Sequence, residues 1–391
     1  MGIYKSAVIN NNAEKFIKTR SLWLFSKSFI YIPTFIDGEI LEIKNAEDNV
    51  VAYGYFNSKS NILCRILSFE NDPINELELN IKRAFTLRKS LFKKKETDCY
   101  RLINSEGDFI PGLIVDYYNN NLVMQVSTAG IEKLKPHIID LLIKILKPVS
   151  IFEKSTNSSR KIEGLEKINV QIYGHTPDKV EVTENKIKYF IDIKKGHKTG
   201  MYLDQREARS LISKIAKSKR VLNLFCYNGG FSLNAYKAGA RSITSVDISK
   251  EAIDQCMQNY ALNSFSTKNS EFIISNVLDY IKDINTSIYD LVIIDPPAFA
   301  KSVKDIKPAL KAYEKLNSTI FKNAKSNTLI LSSSCSYHIS YESFLDIIKN
   351  SALKANKSIK IVKIFKNSFD HTQNPFNPGN EYLKTILLEI I

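Results

Sequence analysis

Paired cysteines are missing from this chain. Its five cysteines (Cys64, Cys99, Cys226, Cys256 and Cys335) are odd in number, widely spaced and form no CxxC pair. That argues against structural zinc and against a disulfide framework, and it suits a reducing cytoplasm. Long apolar runs are missing too. The opening MGIYKSAVINNN has no signal-peptide core, and no later run approaches the ~20 residues of a membrane span. MGIYKS fits the short myristoylation pattern, which occurs often by chance. Acid is in deficit: 41 Asp and Glu against 55 Lys and Arg leave a net charge of +14 and a pI near 9.3. That excess favours a polyanionic partner, nucleic acid before membrane. Internal repeats and low-complexity tracts are also absent.

What is present is a globular chain of 391 residues, 44% apolar, long enough for two or three domains of roughly 150 residues each. Residues 1–73 read as short strands. GEILEIKNAEDNVVAYGYF predicts two of them around a polar turn at Ala46 to Asn49, and NILCRILSF predicts another. INELELNIKRAFTLRKSLFKKK predicts a basic helix with one apolar face and one cationic face carrying Arg83, Arg88, Lys89 and Lys93 to Lys95. With the strands YRLIN, LIVDYY and NLVMQVS and the helix IEKLKPHIIDLLIKIL, it makes residues 74–185 a second, α+β unit. From about 186 strands and helices alternate, which calls for a mostly parallel sheet covered on both faces.

Within that last part, VLNLFCYNGGFSLNAYKAGA runs from a buried strand through Gly229 and Gly230 into a helix that ends at Gly239. The next strand, ITSVD, ends in Asp247, where an acid can accept from ribose hydroxyls. SNVLDYI then offers Asn276 and the Val277 backbone to an adenine edge. Neither a full GxGxxG nor a Walker loop is present, so the series suits a ligand without pyrophosphate, such as S-adenosylmethionine. The glycine pair alone would fit any strand–helix turn. KKGHKTGMYLDQREARSLI precedes it. Asp204 and Glu207 have capping-box spacing there. The same loop could also cover the methionine end of the cofactor, with Lys198, Thr199, Tyr202, Asp204 and Gln205. Together with Phe225, Tyr227, Asn228 and Ile248, these residues complete the expected cofactor set.

LVIIDPPAFAK ends a fourth strand with Asp295, Pro296, Pro297 and Phe299, an arrangement that resembles the loop of methyltransferases acting on nucleobases. Phe299 can offer a ring face to a flat substrate. Past the fifth strand, SSSCSYH places Cys335 at the carboxyl end of the sheet, where open α/β sheets bind ligands. A thiolate adding to carbon 6 of cytosine would make carbon 5 a nucleophile. A free thiol has a pKa of about 8.5, so it needs help from a neighbour. The alternative is a small packing residue, the reading given to Cys64, Cys99 and Cys256. His338 and His371 are candidate acid–base groups, or simply surface histidines.

HKTGMYLDQRE, NLFCYNGGFS, DPPAFAKS, SSSCS and the closing DHTQNPFNPGNEYLK, together with RLINSEGDFIPGLIVDYY and IFEKSTNSSRKIEGLE, carry a resemblance over nearly the whole chain. It resembles the bacterial 23S ribosomal RNA cytosine-carbon-5 methyltransferases that carry an N-terminal PUA domain. The resemblance implies a PUA-like RNA-binding domain over 1–73 and a central α+β domain over 74–185. A Rossmann-like class I methyltransferase domain follows over 186–391. It implies S-adenosylmethionine as methyl donor, ribosomal RNA as partner and a homodimer. It puts Cys335 in the nucleophile position and Asp295 in the base-orienting one, with Pro296, Pro297 and Phe299 around the base. Arg83, Arg88 and Lys89 on the basic helix are the expected RNA-guiding residues. RSLWLFSKSF departs from the family's His-Pro-Trp-Phe-Ser-Gly type of segment. Pro297 stands where better-known RNA cytosine methyltransferases have a second cysteine. A base-nitrogen methyltransferase and a non-catalytic RNA-binding assembly factor are the competing expectations.

Overall fold

The GEILEIKNAEDNVVAYGYF segment forms strands Ile40–Lys44 and Val50–Phe56, antiparallel around a turn in which Asp48 takes a positive φ. Leu41 and Ile43 are buried while Glu42 and Lys44 are not, the period-2 pattern of a half-covered sheet. The computed structural model describes residues 4–300, 302–377 and 381–391. Two units contain them. The first comprises Met1–Thr183, Ile191–Leu203 and Phe369–Asn380, and the second Glu184–Phe190, Asp204–Ser368 and Glu381–Ile391. Met1 to Ile3 of the MGIYKS pattern, Lys301, and Pro378 to Asn380 of the closing motif lie outside the described residues. No helix among the described residues is long and apolar enough to cross a membrane.

The first unit holds a six-stranded and a five-stranded sheet. The six-stranded sheet packs Ala7, Ile9, Leu41, Ile43, Ala52 and Ile66 into one core. The basic helix spans Pro73–Leu91. Asp72 caps it, accepting from the Ile74 and Asn75 amides at 3.0 and 3.1 Å, and Pro73 stands at the first position, where its missing N–H costs nothing. The helix stops at Leu91, four residues short of the predicted end, so Lys93 to Lys95 lie beyond it.

The second unit is built on seven strands: β1 (Arg220–Leu224), β2 (Ser242–Asp247), β3 (Ser270–Ile274), β4 (Leu291–Ile294), β5 (Leu329–Ser334), β6 (Ile359–Phe365) and β7 (Lys384–Ile390). Their order is β3-β2-β1-β4-β5-β7-β6. The first five run parallel and β7 is antiparallel to both its neighbours. This is the mostly parallel sheet expected from the alternating pattern. Along β4 the side chains alternate between two cores. Val292 and Ile294 join Leu222, Ile330 and Tyr313 in one, and Leu291 and Ile293 join Val221, Leu331 and Phe231 in the other. Burial on both faces explains why these strands read as unbroken apolar runs. Strand order reverses between β1 and β4, and at such a switch point the loops leaving the carboxyl ends open a crevice.

Candidate active site

The β1 strand ends in a loop that no ordinary sequence would adopt. Phe225 and Tyr227 take positive φ values of 59° and 47°, and Gly229 takes 82°. A bulky residue in that region costs on the order of 1–3 kcal/mol, and such strain collects at ligand sites. Asp247 at the end of β2 holds the loop in place. Its carboxylate accepts from the Tyr227 amide at 2.9 Å and from the Ser249 amide at 3.0 Å. A Cβ on Gly229 would lie 2.3 Å from the Cys256 sulfur, and one on Gly230 would lie 2.9 Å from Arg209 Cδ. Both glycines therefore serve close packing as well as the turn. Asn228 is buried, and its Nδ2 has no hydrogen-bond partner among the described residues. A buried donor left in this way suits an acceptor brought by a ligand. At the end of β3, Asn276 caps the Val277–Asp283 helix by accepting from the Leu278 amide at 2.9 Å. Ile248 is exposed beside Asp247, and Val277 is buried.

The β4 and β5 ends meet across the crevice. Cys335 directly follows β5, and its sulfur lies 3.8 Å from the Pro296 carbonyl oxygen. It is half-buried, whereas Cys64, Cys99, Cys226 and Cys256 are all buried. The serines before it are structural: Ser332 Oγ donates to Asn317 Oδ1 at 2.7 Å, and Thr385 Oγ1 donates to Ser333 Oγ at 3.0 Å. After it, Ser336 Oγ accepts from the Ala300 amide at 3.2 Å, tying the Cys335 loop to the Asp-Pro-Pro loop. Tyr313 OH lies 3.1 Å from the same Oγ, and burial pushes its pKa up to about 12. Asp295 Oδ1 accepts from Gln205 Nε2 at 2.7 Å. Phe299 packs half-buried against Tyr313, with ring centroids 4.6 Å apart, and Pro297 is exposed.

A model of the S-adenosylmethionine-dependent methyltransferases matches residues 169–316, and a PUA-like domain model matches residues 7–69. The ribosomal RNA large subunit methyltransferase I of Aeromonas hydrophila is 34% identical over 383 residues, 96% of each chain. That of Vibrio vulnificus is 34% identical over 388 residues, 97% of each. The chain belongs to the ribosomal RNA large subunit methyltransferase I family. A Streptococcus mutans protein classed as a SAM-dependent methyltransferase shares the fold. Its TM-score is 0.82 at 24% identity, over 98% of this chain and 100% of that one. A related structure solved with SAH gives 0.83 over the same shares. The enzyme is thus a SAM-dependent methyltransferase, and the loops after β1 and β2 fit that cofactor: a strained glycine turn with an unpartnered buried amide donor at Asn228, and a strand-end carboxylate at Asp247.

Several expected residues of the enzyme do other work. Lys198, Thr199 and Tyr202 belong to the first unit. There the buried Thr199 hydroxyl donates to Asp116 at 2.6 Å, and the Lys198 ammonium lies 4.6 Å from the Tyr202 ring centroid. Asp204 and Glu207 form no capping box. Gln205 is the residue before the helix Arg206–Ile215 and makes no side-chain cap. Asp204 accepts instead from Tyr382 OH at 2.7 Å, and Glu207 from Ser368 Oγ at 3.0 Å. Gln205, expected on the cofactor, supports Asp295. Arg88 is no RNA contact. It is fully buried, bidentate to Asp108 at 2.6 and 2.8 Å, and donates to the Arg101 and Asp370 carbonyls. Its position, four residues after Ala84 and seven after Ile81 on the buried face, was the sign in the sequence. Arg83 is exposed but partly engaged by Glu76 at 2.7 Å, and Lys89 is exposed. His371 belongs to the first unit, where it is buried against Asp370 at 2.9 Å. His338 is half-buried three residues past Cys335.

Lys384 was missed altogether. It opens β7 opposite Ser334, is buried, and donates to the Ser336 and Ile339 carbonyls at 2.7 and 2.6 Å. Burial lowers its pKa to about 8, while the nearby Cys335 sulfur pulls it back up. The only hint in the sequence was a lysine at the end of the EYLK motif, ahead of an apolar strand.

Proposed function

We propose that this enzyme methylates carbon 5 of a cytosine in large-subunit (23S) ribosomal RNA, with Cys335 as the nucleophile. The observation that carries the reading is Cys335 itself, half-exposed at the end of β5 and 3.8 Å from the Pro296 carbonyl of the Asp-Pro-Pro loop. The Cys335 sulfur forms a bond to carbon 6, and the electron pair of the 5,6 double bond makes carbon 5 nucleophilic. Addition also makes ring nitrogen N3 more basic. Asp295, steadied by Gln205, orients the base at that nitrogen and shares its proton. S-adenosylmethionine, when bound, supplies the methyl group. Loss of the carbon-5 proton and departure of the Cys335 thiolate restore the aromatic ring.

In this reading Phe225, Tyr227, Asn228, Gly229 and Gly230 cradle the methionine end of the cofactor, Asp247 and Ile248 face its ribose, and Asn276 and Val277 face its adenine. Pro296, Pro297 and Phe299 frame the cytosine. Lys89, Arg83 and the lysines 93–95 guide the RNA. A homodimer and a cytoplasmic location belong to the same reading, and sedimentation equilibrium checks the first. The decisive test incubates unmodified large-subunit RNA with methyl-labelled S-adenosylmethionine and identifies labelled nucleosides by mass spectrometry. Labelled 5-methylcytosine from the wild type and none from Cys335→Ala is the expected result. A labelled purine that survives loss of Cys335 would overturn the covalent route in favour of base-nitrogen methylation.

A further inference from the structure

The helix that follows the Asp-Pro-Pro loop, Ile306–Asn323, turns an apolar side to the sheet and a basic side to solvent. Ala309, Tyr313, Leu316 and Ile320 are buried, and Tyr313 carries the ring that packs on Phe299. Lys307, Lys311, Lys315 and Lys322 are all exposed. At about 100° per residue these four fall within roughly 80° of arc, opposite the buried side. Lys304, also exposed, stands just ahead of the helix. The helix connects β4 to the parallel β5 and so runs back against both, which puts its first turn at the crevice end of the sheet. The basic stripe therefore starts at that end and runs away from it.

Helix stability does not account for the stripe. Lys304 and Lys307 lie at the positive end of the helix dipole, where cations are unfavourable, and the first turn holds no acid. Asp305, just before it, accepts from the Ser302 amide and hydroxyl. Lys307, Lys311 and Lys315 follow one another at the i,i+4 spacing where like charges repel. Glu314 is the helix's one acidic residue, and Lys354 of the neighbouring helix Tyr341–Lys354 holds it. Other exposed lysines of the second unit carry their own carboxylates: Lys282 has Asp279 at 2.6 Å, Lys349 has Asp346 at 3.1 Å and Lys360 has Glu389 at 3.3 Å. The stripe lysines have no ion pair among the described residues. They repeat about every 6 Å from Lys307 to Lys315, the scale of successive phosphates in an RNA strand. Ammonium groups on flexible stems meet phosphates as point charges. No large apolar residue of the helix is exposed, so the stripe suits a charged backbone rather than bases or lipid.

We propose that this stripe is a second RNA-guiding surface, which holds phosphates of the substrate strand on Lys304, Lys307, Lys311 and Lys315. It rests on RNA being the substrate and adds a backbone contact that does not touch the reacting base. Two triple variants of the full-length protein remove equal charge. One is Lys307→Gln, Lys311→Gln and Lys315→Gln; the other is Lys282→Gln, Lys349→Gln and Lys360→Gln, taken from the paired lysines. Each is titrated by anisotropy with a fluorescein-labelled oligouridylate at several salt concentrations. The stripe triple should lose about 2 from the slope of log affinity against log salt, and Lys311→Gln alone about 0.7. The paired triple should keep the wild-type slope. The stripe triple should also melt no lower than wild type, since it relieves repulsion. Equal slopes for the two triples would overturn the stripe, because total charge and not position would then set affinity. Methyl transfer to large-subunit RNA, scored by nucleoside mass spectrometry, should show KM raised more than kcat is lowered in the stripe triple. A lowered kcat at unchanged KM would overturn the guiding role. A wild type that makes no 5-methylcytosine would sink the catalytic reading, while the slope difference between the triples still decides this one.

Discussion

Cys335 is a reagent only if its thiol ionises near neutral pH, and the residue placed to favour that is Lys384. Its ammonium is fixed by two carbonyls of the loop after Cys335 and interacts with the sulfur. An adjacent positive charge stabilises the thiolate. Lys384→Met should therefore slow alkylation of Cys335 by iodoacetamide at pH 7 about tenfold, the equivalent of one pKa unit. Because the other four cysteines are buried, the rate reports on Cys335. Equal rates in the two proteins would remove Lys384 from the mechanism. The same lysine gives stability a defined pH slope. Its folded pKa of about 8 lies below the ordinary 10.5, so between those values the unfolded chain holds the extra proton. Stability from this site should rise with pH across that window and stay flat below it. Urea melts at pH 7, 8 and 10 should show the wild type gaining on Lys384→Met only above about pH 8. Gly229 is the other residue with a sharp expectation. At φ 82°, and with Cys256 Sγ 2.3 Å from any Cβ, Gly229→Ala combines backbone strain with overpacking. It should cost about 2–4 kcal/mol in urea unfolding.

The helix Pro73–Leu91 has two faces with different duties. Leu77, Ile81, Ala84 and Arg88 lie on the buried one, while Arg83 and Lys89 are exposed. Charge alone groups Arg88 with Arg83 and Lys89. Helical spacing puts it with the core, and Asp108 explains how a guanidinium can be there. Arg88→Ala leaves Asp108 buried without its partner and should destabilise the fold by about 3–5 kcal/mol. Lys89→Ala should leave the melting temperature within a degree or so and act on RNA binding alone. Comparing the two by thermal denaturation and RNA titration separates structure from recognition on one element.

For the whole molecule, the net charge of +14 implies that RNA affinity falls steeply with salt. Removing phosphate-contacting lysines should lower the slope of log affinity against log salt by roughly 0.7–0.9 each. The division into units also cuts across the sequence motifs. DHTQNPFNPGNEYLK gives Asp370 and His371 to the first unit, where Asp370 accepts from the Arg101 amide at 2.9 Å. The same motif gives Tyr382 and Lys384 to the second, where they hold Asp204 and the Cys335 loop. HKTGMYLDQRE is split likewise between Thr199 and Gln205.

The chain's own pattern determined the parallel sheet, the glycine turn, the strand-end Asp247 and the Asp-Pro-Pro loop. Each is written in local signals: period-2 or unbroken apolar strands, glycines between strand and helix, and prolines where a strand must stop. Which carboxylate Arg88 met in the core, whether Asp204 capped a helix or accepted from Tyr382, and which lysine stood by Cys335 were decided only by tertiary structure. Those outcomes depend on partners 20, 178 and 49 positions away in the sequence. Local propensity fixes the backbone within a few residues, but a buried charge or polar group takes its role from whatever the folded chain brings within hydrogen-bond distance.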